Sequence, residues 1–267
     1  MADECTARTA RLMEFMTIKD VEEALQVTQT VIVPVGCVEQ HGWHLPLSTD
    51  MFNATELAKA VSEITGCLVA PLMPYSYSGG SLLGTINIAP ATISAVINDI
   101  CCSLAQQGFK NIIVFLGHGG SENVRGIRDG LDICLRTNPS LAEAKVALVP
   151  FTDMSPTIAE WFEKKDFHAA GFETSLMLYW HPRLVREPRV TDSEEIMAML
   201  RADQDAYQTV ERPVDHPMVM PHIRQDERIK IGVLGDPSQA SAVMGEKIAK
   251  EVVERMVELI GLMESAQ

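Results

Sequence analysis

The sequence predicts an α/β fold in which a mainly parallel sheet is covered by helices. Short apolar runs rich in β-branched residues alternate with longer amphipathic segments along the 267 residues. The apolar runs are continuous, as is typical of parallel strands that are buried on both faces. The chain is 46% hydrophobic, which is sufficient for a sizeable core, and no low-complexity linker divides it. We therefore expect one domain over residues 1–267.

The first half of the chain supplies the predicted sheet. The predicted strands are TVIVPVG (30–36), CLVAPLMPY (67–75), NIIVFLG (111–117) and KVALVPF (145–151). Helices are predicted between them over 53–64, 91–108 and 121–136, because apolar residues recur there at helical spacing. The strand–helix alternation favours parallel strands joined by helical crossovers.

The second half of the chain is less regular. GFETSLMLYW at 171–180 predicts a buried helix, and the stretch 186–230 is charged and has few strand signals. The last helix is predicted to begin near Pro237. Its apolar stripe, which we expect to pack on the sheet, consists of Ile248, Val252, Val253, Met256, Val257 and Ile260.

The charge balance argues against one class of partner. The chain has 36 acidic and 22 basic residues, a formal net charge of −14. A negative field of this size repels phosphate backbones, and no cluster of lysine or arginine offsets it. We expect a small-molecule substrate and no binding to nucleic acid.

Cysteine usage and hydropathy predict a cytoplasmic enzyme. The six cysteines, of which Cys5 is the first, show no CxxC spacing and no disulfide framework. The first fifteen residues have no apolar segment typical of a signal peptide. No run approaches the ~18 apolar residues that a membrane span requires, so no membrane association is expected.

Potential metal ligands follow two of the predicted strands. Glu39, His41 and Asp50 come after the first strand, and His118 follows the third within GHGG. Ligands of open α/β sheets gather beyond the carboxyl ends of the strands. Carboxylate and imidazole groups suit Zn²⁺, Mn²⁺ or Fe²⁺, and Cys37 offers a thiolate unless it is simply a buried apolar residue. The Glu39–Asp50 spacing alone fits solvated loop charges equally well, and His118 favours a metal site.

At the level of whole motifs, the sequence resembles the creatininase (creatinine amidohydrolase) family. The opening block is VGCVEQHGWHLPLSTD (35–50), and it is followed in family order by SYSGGSLLGT (76–85), GHGG (117–120), HAAGFETSLML (168–178) and GVLGDPSQASAVMGEKI (232–248). The resemblance implies a three-layer α/β/α fold with a mainly parallel sheet. It also implies a homo-oligomer, typically a hexamer.

The resemblance further implies a centre of two divalent metal ions. Glu39, His41, Asp50 and His118 fall on family metal positions, with Asp50 as the carboxylate that bridges both ions. Such a pair activates a water molecule as the nucleophile near neutral pH. His44 belongs to the same block and is expected only to support the ligands.

The fifth metal ligand is left open between two glutamates. Glu173 matches the family's E-T-S glutamate and is preferred. Creatininase itself has a glutamate two residues after the histidine of GHGG, where this chain has Gly120. Glu122 would replace it if the loop were shifted, but it also fits an ordinary first-turn helix carboxylate.

Outside the metal ligands, His168 aligns with the family's catalytic histidine. A histidine is suited to passing a proton to a leaving group because its ordinary pKa of about 6.5 is close to working pH. A surface histidine beside Asp166 is the alternative interpretation. Ser78, in the serine–glycine loop, and Trp161 are the predicted substrate contacts.

The resemblance is weakest where substrate is bound. Creatininase encloses a flat heterocycle between tryptophans ahead of its catalytic histidine, whereas this chain has only Trp161 there, with Phe167 and two lysines nearer His168. We expect a metal-dependent hydrolase that uses a metal-bound water to open a cyclic amide-like or related carbonyl substrate other than creatinine. The alternatives are a hydrolase of a cyclic ketone of a sugar or inositol, and a non-catalytic ligand-binding homologue.

Overall fold

A five-stranded parallel sheet lies at the centre of the computed structural model, which describes residues 9–266 without the side chains of residues 204 and 205. Residues 1–8, which include Cys5 and the start of the N-terminal segment without a predicted signal peptide, lie outside the described residues. The strands of the sheet are β1 (Arg11–Leu12), β2 (Thr30–Val35), β3 (Leu68–Val69), β4 (Asn111–Leu116) and β5 (Lys145–Pro150). Their spatial order is β1-β3-β2-β4-β5, so β2 and β4 are neighbours near the middle of the sheet.

Eight α-helices are described. They are α1 (Ile18–Leu25), α2 (Thr49–Thr65), α3 (Pro90–Gln106), α4 (Ser121–Thr137), α5 (Pro156–Glu163), α6 (Gly171–Trp180), α7 (Glu194–Ala202) and α8 (Ala242–Ser265). Short 3₁₀ helices cover Met13–Phe15, Pro139–Leu141, Phe151–Met154, Pro182–Leu184, Gln204–Tyr207 and Pro237–Gln239. None of the helices in residues 9–266 has both the length and the apolar character to cross a bilayer.

Two hydrophobic layers cover the two faces of the sheet, which confirms the predicted three-layer α/β/α fold. Successive residues of a strand point to opposite faces. Val31 and Val33 of β2 accordingly pack in one layer with α3 and α4, and Ile32 packs in the other with α2, α6 and α8. All six residues of β2 and of β4 are buried, as their continuous apolar sequences predict.

The predicted strand at 67–75 is much shorter in the structure. Only Leu68–Val69 pair as a strand, and a single further bridge joins Met73 to Val35. Pro71 and Pro74 have no amide hydrogen to donate to a sheet ladder, and this limits the strand to the two residues before them.

Two helix starts differ from the predicted ones. Helix α2 begins at Thr49, four residues earlier than predicted, so Asp50 lies in its first turn and not in an extended loop. Helix α8 begins at Ala242 and not near Pro237, because the Ser241 side chain accepts a hydrogen bond from the amide of Met244 and caps the helix there.

Several elements were not predicted, among them helices α5 and α7. Strand β1 and helix α1 precede the first predicted strand, and an antiparallel hairpin of β6 (Gln208–Glu211) and β7 (His222–Gln225) lies within the charged stretch 186–230. Both strands of the hairpin are mainly exposed, so they lack the apolar run that identifies a buried strand.

Candidate metal centre

The centre lies at the carboxyl ends of the two middle strands. Val35 and Leu116, the last residues of β2 and β4, are paired in register, so the segments that follow them start side by side. Glu39 and His41 lie on the segment after β2, and His118 on the segment after β4. A side chain at Gly117 would put its Cβ 2.0 Å from the Asp50 carbonyl oxygen, so only glycine lets β4 end this close to α2.

Two helices bring in the remaining carboxylates. Asp50 lies in the first turn of α2 and is 1% exposed, and Glu173 lies in the first turn of α6 and is also buried. The start of α6 is held by Asp166, whose carboxylate accepts hydrogen bonds from the amides of Gly171 (2.7 Å) and Phe172 (3.4 Å). The positions of both carboxylates are therefore fixed by helix starts that pack near the strand ends.

The five predicted ligands converge on Asp50. Its Oδ1 lies 3.4 Å from His41 Nε2, and its Oδ2 lies 3.4 Å from His118 Nδ1. His118 Nδ1 is also 3.0 Å from Glu39 Oε2, and His41 Nε2 is 3.6 Å from Glu173 Oε2. Potential ligand atoms thus form two groups, one of Glu39, Asp50 and His118 and one of His41, Asp50 and Glu173.

Several polar atoms of these groups have no hydrogen-bond partner among the described residues. Glu39 Oε2, His41 Nε2 and Asp50 Oδ2 are buried and make no hydrogen bond, although each lies at ion-pair distance from another member of the cluster. Buried polar atoms are nearly always satisfied, and a cluster of unsatisfied ones is a standard sign of an ion-binding site. Two carboxylates and one imidazole in each group suit a divalent cation such as Zn²⁺ or Mn²⁺. The residues present therefore fit two ions that share Asp50.

The electrostatics of the cluster also favour positive charge at its centre. Burial raises the pKa of Asp50, but His41 and His118 outweigh this effect and leave it below the usual value. Burial lowers the pKa of His41 and of His118, but the adjacent carboxylates raise both well above the usual value. The same surplus of carboxylate charge favours divalent cations at these positions, where they would displace protons from the histidines.

His168 lies at the edge of the cluster and faces a cavity. Its ring lies 4.3 Å from the ring of His41, and its Nε2 is 2.8 Å from the Gln40 carbonyl oxygen. Its Nδ1 is 3.9 Å from Glu173 Oε2. His168 forms a third possible ligand group with Glu39 and His41. Because its Nε2 already has a partner in Gln40, His168 is less available as a ligand than the five residues above.

His44 supports the centre from behind. It is fully buried, and its Nε2 lies 3.0 Å from the hydroxyl of Thr174, the residue after Glu173. Burial, with a contribution from Arg189, lowers the pKa of His44 to about 4. Cys37 is buried as well, and burial raises the pKa of its thiol to about 11, so a small apolar role fits it better than thiolate ligation.

The structure separates the two candidates for the fifth ligand. Glu173 lies within the cluster. Glu122 is in the first turn of α4, where its carboxylate accepts a hydrogen bond from the Ser121 hydroxyl, and it belongs to none of the ligand groups.

The two predicted substrate contacts have different surroundings. Ser78 lines the cavity and donates a 2.7 Å hydrogen bond from its hydroxyl to Glu39 Oε1, which orients that ligand. Trp161 is buried in the hydrophobic core beside α6 and is absent from the cavity wall. The structure therefore gives no support to a contact between Trp161 and substrate.

A cavity of about 350 Å³ opens over the centre. Its floor contains Glu39, His118, His168 and Glu173, and its apolar wall includes Phe162, Phe167 and Leu234. No lysine or arginine is among the described residues that line it. Gln40, which is adjacent to a predicted ligand, and the hairpin residue Gln225 also line the cavity. Neither was predicted, and no sequence pattern identifies Gln225.

Comparison with known proteins gives a consistent match across the chain. The family model described as creatinine amidohydrolase matches residues 14–260. The creatinine amidohydrolase of Pseudomonas putida is 32% identical over 195 residues, which cover 66% of this chain and 74% of that protein. The mycofactocin precursor peptide peptidase of Mycobacterium ulcerans (strain Agy99) is 30% identical over 247 residues, which cover 86% and 84%.

The fold is also shared with a solved structure. A manganese form of creatininase superimposes with a TM-score of 0.75 at 26% identity, and the superposition covers 96% of this chain and 100% of that one.

Proposed function

The chain belongs to the creatininase (creatinine amidohydrolase) family, and from this we propose that it is a metal-dependent hydrolase that opens a C–N bond of an amide-like substrate other than creatinine. The observation that carries the proposal is the placement of Asp50, whose two oxygens face two separate groups of buried ligand atoms. A shared carboxylate is what two cations a few ångströms apart require.

The residues of the chain have distinct tasks in the proposed reaction. Glu39, His41, Asp50, His118 and Glu173 would hold two divalent ions, Zn²⁺, Mn²⁺ or Fe²⁺. When bound, the ions lower the pKa of water and polarise the carbonyl of the substrate. Ser78 keeps Glu39 in place through the hydrogen bond to its Oε1.

His168 moves the proton in this proposal. In the tautomer whose Nε2–H donates to the Gln40 carbonyl, Nδ1 is the atom that takes a proton and returns it to the leaving nitrogen. The cavity beside it accepts the substrate, whose apolar part packs against the apolar residues of its wall.

Two observations favour an amide substrate other than creatinine. No tryptophan is among the described residues that line the cavity, so the tryptophan pair that encloses the flat ring in creatininase has no counterpart there. The peptidase relative, whose substrate is a peptide, matches a larger share of this chain than the creatinine amidohydrolase does. Hydrolysis of a cyclic ketone of a sugar or inositol, and ligand binding without catalysis, are the alternatives that the experiment must separate.

The test measures metal content and turnover on the same preparation. Purified protein is analysed by inductively coupled plasma mass spectrometry, reloaded with Zn²⁺ or Mn²⁺, and assayed on peptides, cyclic amides including creatinine, and cyclic ketones. We expect two ions per chain and hydrolysis of amides, with creatinine a poor substrate. Asp50→Ala is the inactive control. A protein that binds no metal and hydrolyses nothing after reloading would support the ligand-binding alternative.

A further inference from the structure

A second cavity of about 410 Å³ lies beside the one over the metal centre. The two share Gly119, Ser121, Thr152 and Phe162 in their walls, so one ligand can extend from the first cavity into the second. Gly119 directly follows His118, so the shared wall begins at the metal centre itself. The two cavities differ in charge, because the first has no lysine or arginine in its described wall.

Two arginines of α4 line the second cavity. Arg125 and Arg128 are three residues apart and therefore project from the same side of the helix. Both are exposed, and neither has an ion-pair or hydrogen-bond partner among the described residues. Arg136, on the last turn of the same helix, is instead paired with Asp132 at 3.0 Å. The free guanidinium groups are thus confined to the part of α4 that faces the cavity.

The net charge of the second cavity indicates which kind of anion it can bind. Asp153 is in the same wall, so the two arginines leave a net charge of about +1 there. This matches a monoanion better than a phosphate dianion, which Asp153 and the overall charge of −14 would both repel. The planar fork of a guanidinium is well suited to a carboxylate, which it can bind through two parallel hydrogen bonds.

We propose that Arg125 and Arg128 form a carboxylate subsite, so that the substrate is an amide that carries a carboxylate a short distance from the bond that is cleaved. The proposal rests on the proposed hydrolase function for the position of the cleaved bond. The apolar part of the substrate packs against Phe162, which lines both cavities, and its carboxylate extends past Ser121 to the arginines. A peptide with a free carboxyl terminus, or an N-acyl amino acid, has this arrangement.

The test uses a pair of probes that contain no hydrolysable bond, so its outcome does not depend on turnover. Binding of 3-phenylpropionate and of its neutral analogue 3-phenylpropan-1-ol to the Zn²⁺-loaded protein is measured by isothermal titration calorimetry. We expect the acid to bind about tenfold more tightly than the alcohol, as a charge-assisted pair implies. In the double variant Arg125→Gln/Arg128→Gln this preference should disappear, and in the control Arg136→Gln it should be retained.

Two results would overturn the subsite. Equal affinity of the wild type for acid and alcohol would mean that no carboxylate is recognised. An undiminished preference in the double variant would mean that the metal ions, and not the arginines, bind the carboxylate. Hydrolysis separates this proposal from the function: a protein that prefers the acid but cleaves no amide has the subsite and lacks the proposed activity.

Discussion

At the scale of single residues, Asp50 has the most distinctive geometry, because each of its oxygens faces a different histidine. We therefore expect Asp50→Ala to lose both metal ions together, and His41→Ala to lose mainly one. Metal content per chain, measured by inductively coupled plasma mass spectrometry after gel filtration, tests both expectations. Full metal content in Asp50→Ala would disprove the bridging role. Glu122→Gln is the matched control and should retain both ions, since Glu122 lies outside the ligand groups.

His168 differs from the ligands because its Nε2 is satisfied by the Gln40 carbonyl. His168→Ala should keep both metals and the fold but lose activity about 10²- to 10⁴-fold, the usual contribution of general acid–base catalysis. Substrates with better leaving groups should lose less, because they depend less on proton donation. The measurements are kcat on a series of amides and the metal content of the variant. Turnover near that of the wild type in a metal-replete variant would exclude His168 from proton transfer.

Burial of His44 predicts a stability change at acidic pH. Its pKa is about 4 in the folded protein and about 6.5 in the unfolded chain, so unfolding takes up a proton between these values. Above pH 6.5 the burial of neutral His44 has no cost from protonation. As the pH falls to 4, protonation of the unfolded chain lowers the free energy of unfolding by about 2 to 3 kcal/mol. We expect His44→Gln to remove this part of the pH dependence.

Urea unfolding at several pH values, with a chelator present to exclude metal effects, measures the difference between the two proteins. His216→Gln removes a histidine that is exposed and serves as the control. The prediction fails if wild type and His44→Gln have parallel pH dependences.

At the scale of elements, the contact between the end of β4 and the start of α2 positions the centre. A Cβ at residue 117 would lie 2.0 Å from the Asp50 carbonyl oxygen and 2.8 Å from the Ala54 amide nitrogen. Both are backbone atoms, so Gly117→Ala must displace α2 together with Asp50. We expect a loss of about 3 kcal/mol in the free energy of unfolding and a loss of metal.

Gly261→Ala provides the control for this prediction. Gly261 lies in α8 with no atom within 4 Å of the added Cβ, so alanine there should stabilise by about 0.5 to 1 kcal/mol. Denaturant unfolding and metal analysis of both variants give the comparison. A Gly117→Ala protein with native stability and full metal content would show that the close approach has no consequence.

At the scale of the whole molecule, apolar side chains are exposed near the metal centre. Leu83 is 99% exposed and Trp43 is 66% exposed, and Leu47 and Ile86 are exposed nearby in sequence. Where such residues form a contiguous patch, the patch marks an association site. We expect a homo-oligomer, with the hexamer implied by the family resemblance as the specific expectation.

Light scattering coupled to gel filtration tests the assembly. A mass near the 29.4 kDa of one chain at micromolar concentration would contradict it. Leu83→Ser, which changes an exposed residue outside the ligand set, should shift the mass toward the single chain if this surface is the interface.

The sequence by itself determined four of the five sheet strands, in chain order, and three of the candidate ligands. Continuous apolar runs specify β2 and β4, and because parallel strands end at the same rim, Glu39, His41 and His118 had to lie close together. The predicted strand at 67–75 was too long because Pro71 and Pro74, although visible in the sequence, limit β3 to two residues. The hairpin was missed because its exposed strands have no apolar run.

Only the tertiary structure decided which distant residues lie beside Asp50. Glu173 and Glu122 are both first-turn helix carboxylates, and the packing of α6 on α8 and α2 brings the first, and not the second, to Asp50. From the sequence alone, Trp161 could face the cavity or the core. In the structure its ring packs against Gly171, where a Cβ would lie 1.5 Å from the ring, and this contact fixes Trp161 in the core. Helix periodicity specifies a buried face but not its partner, which depends on contacts between residues far apart in the chain.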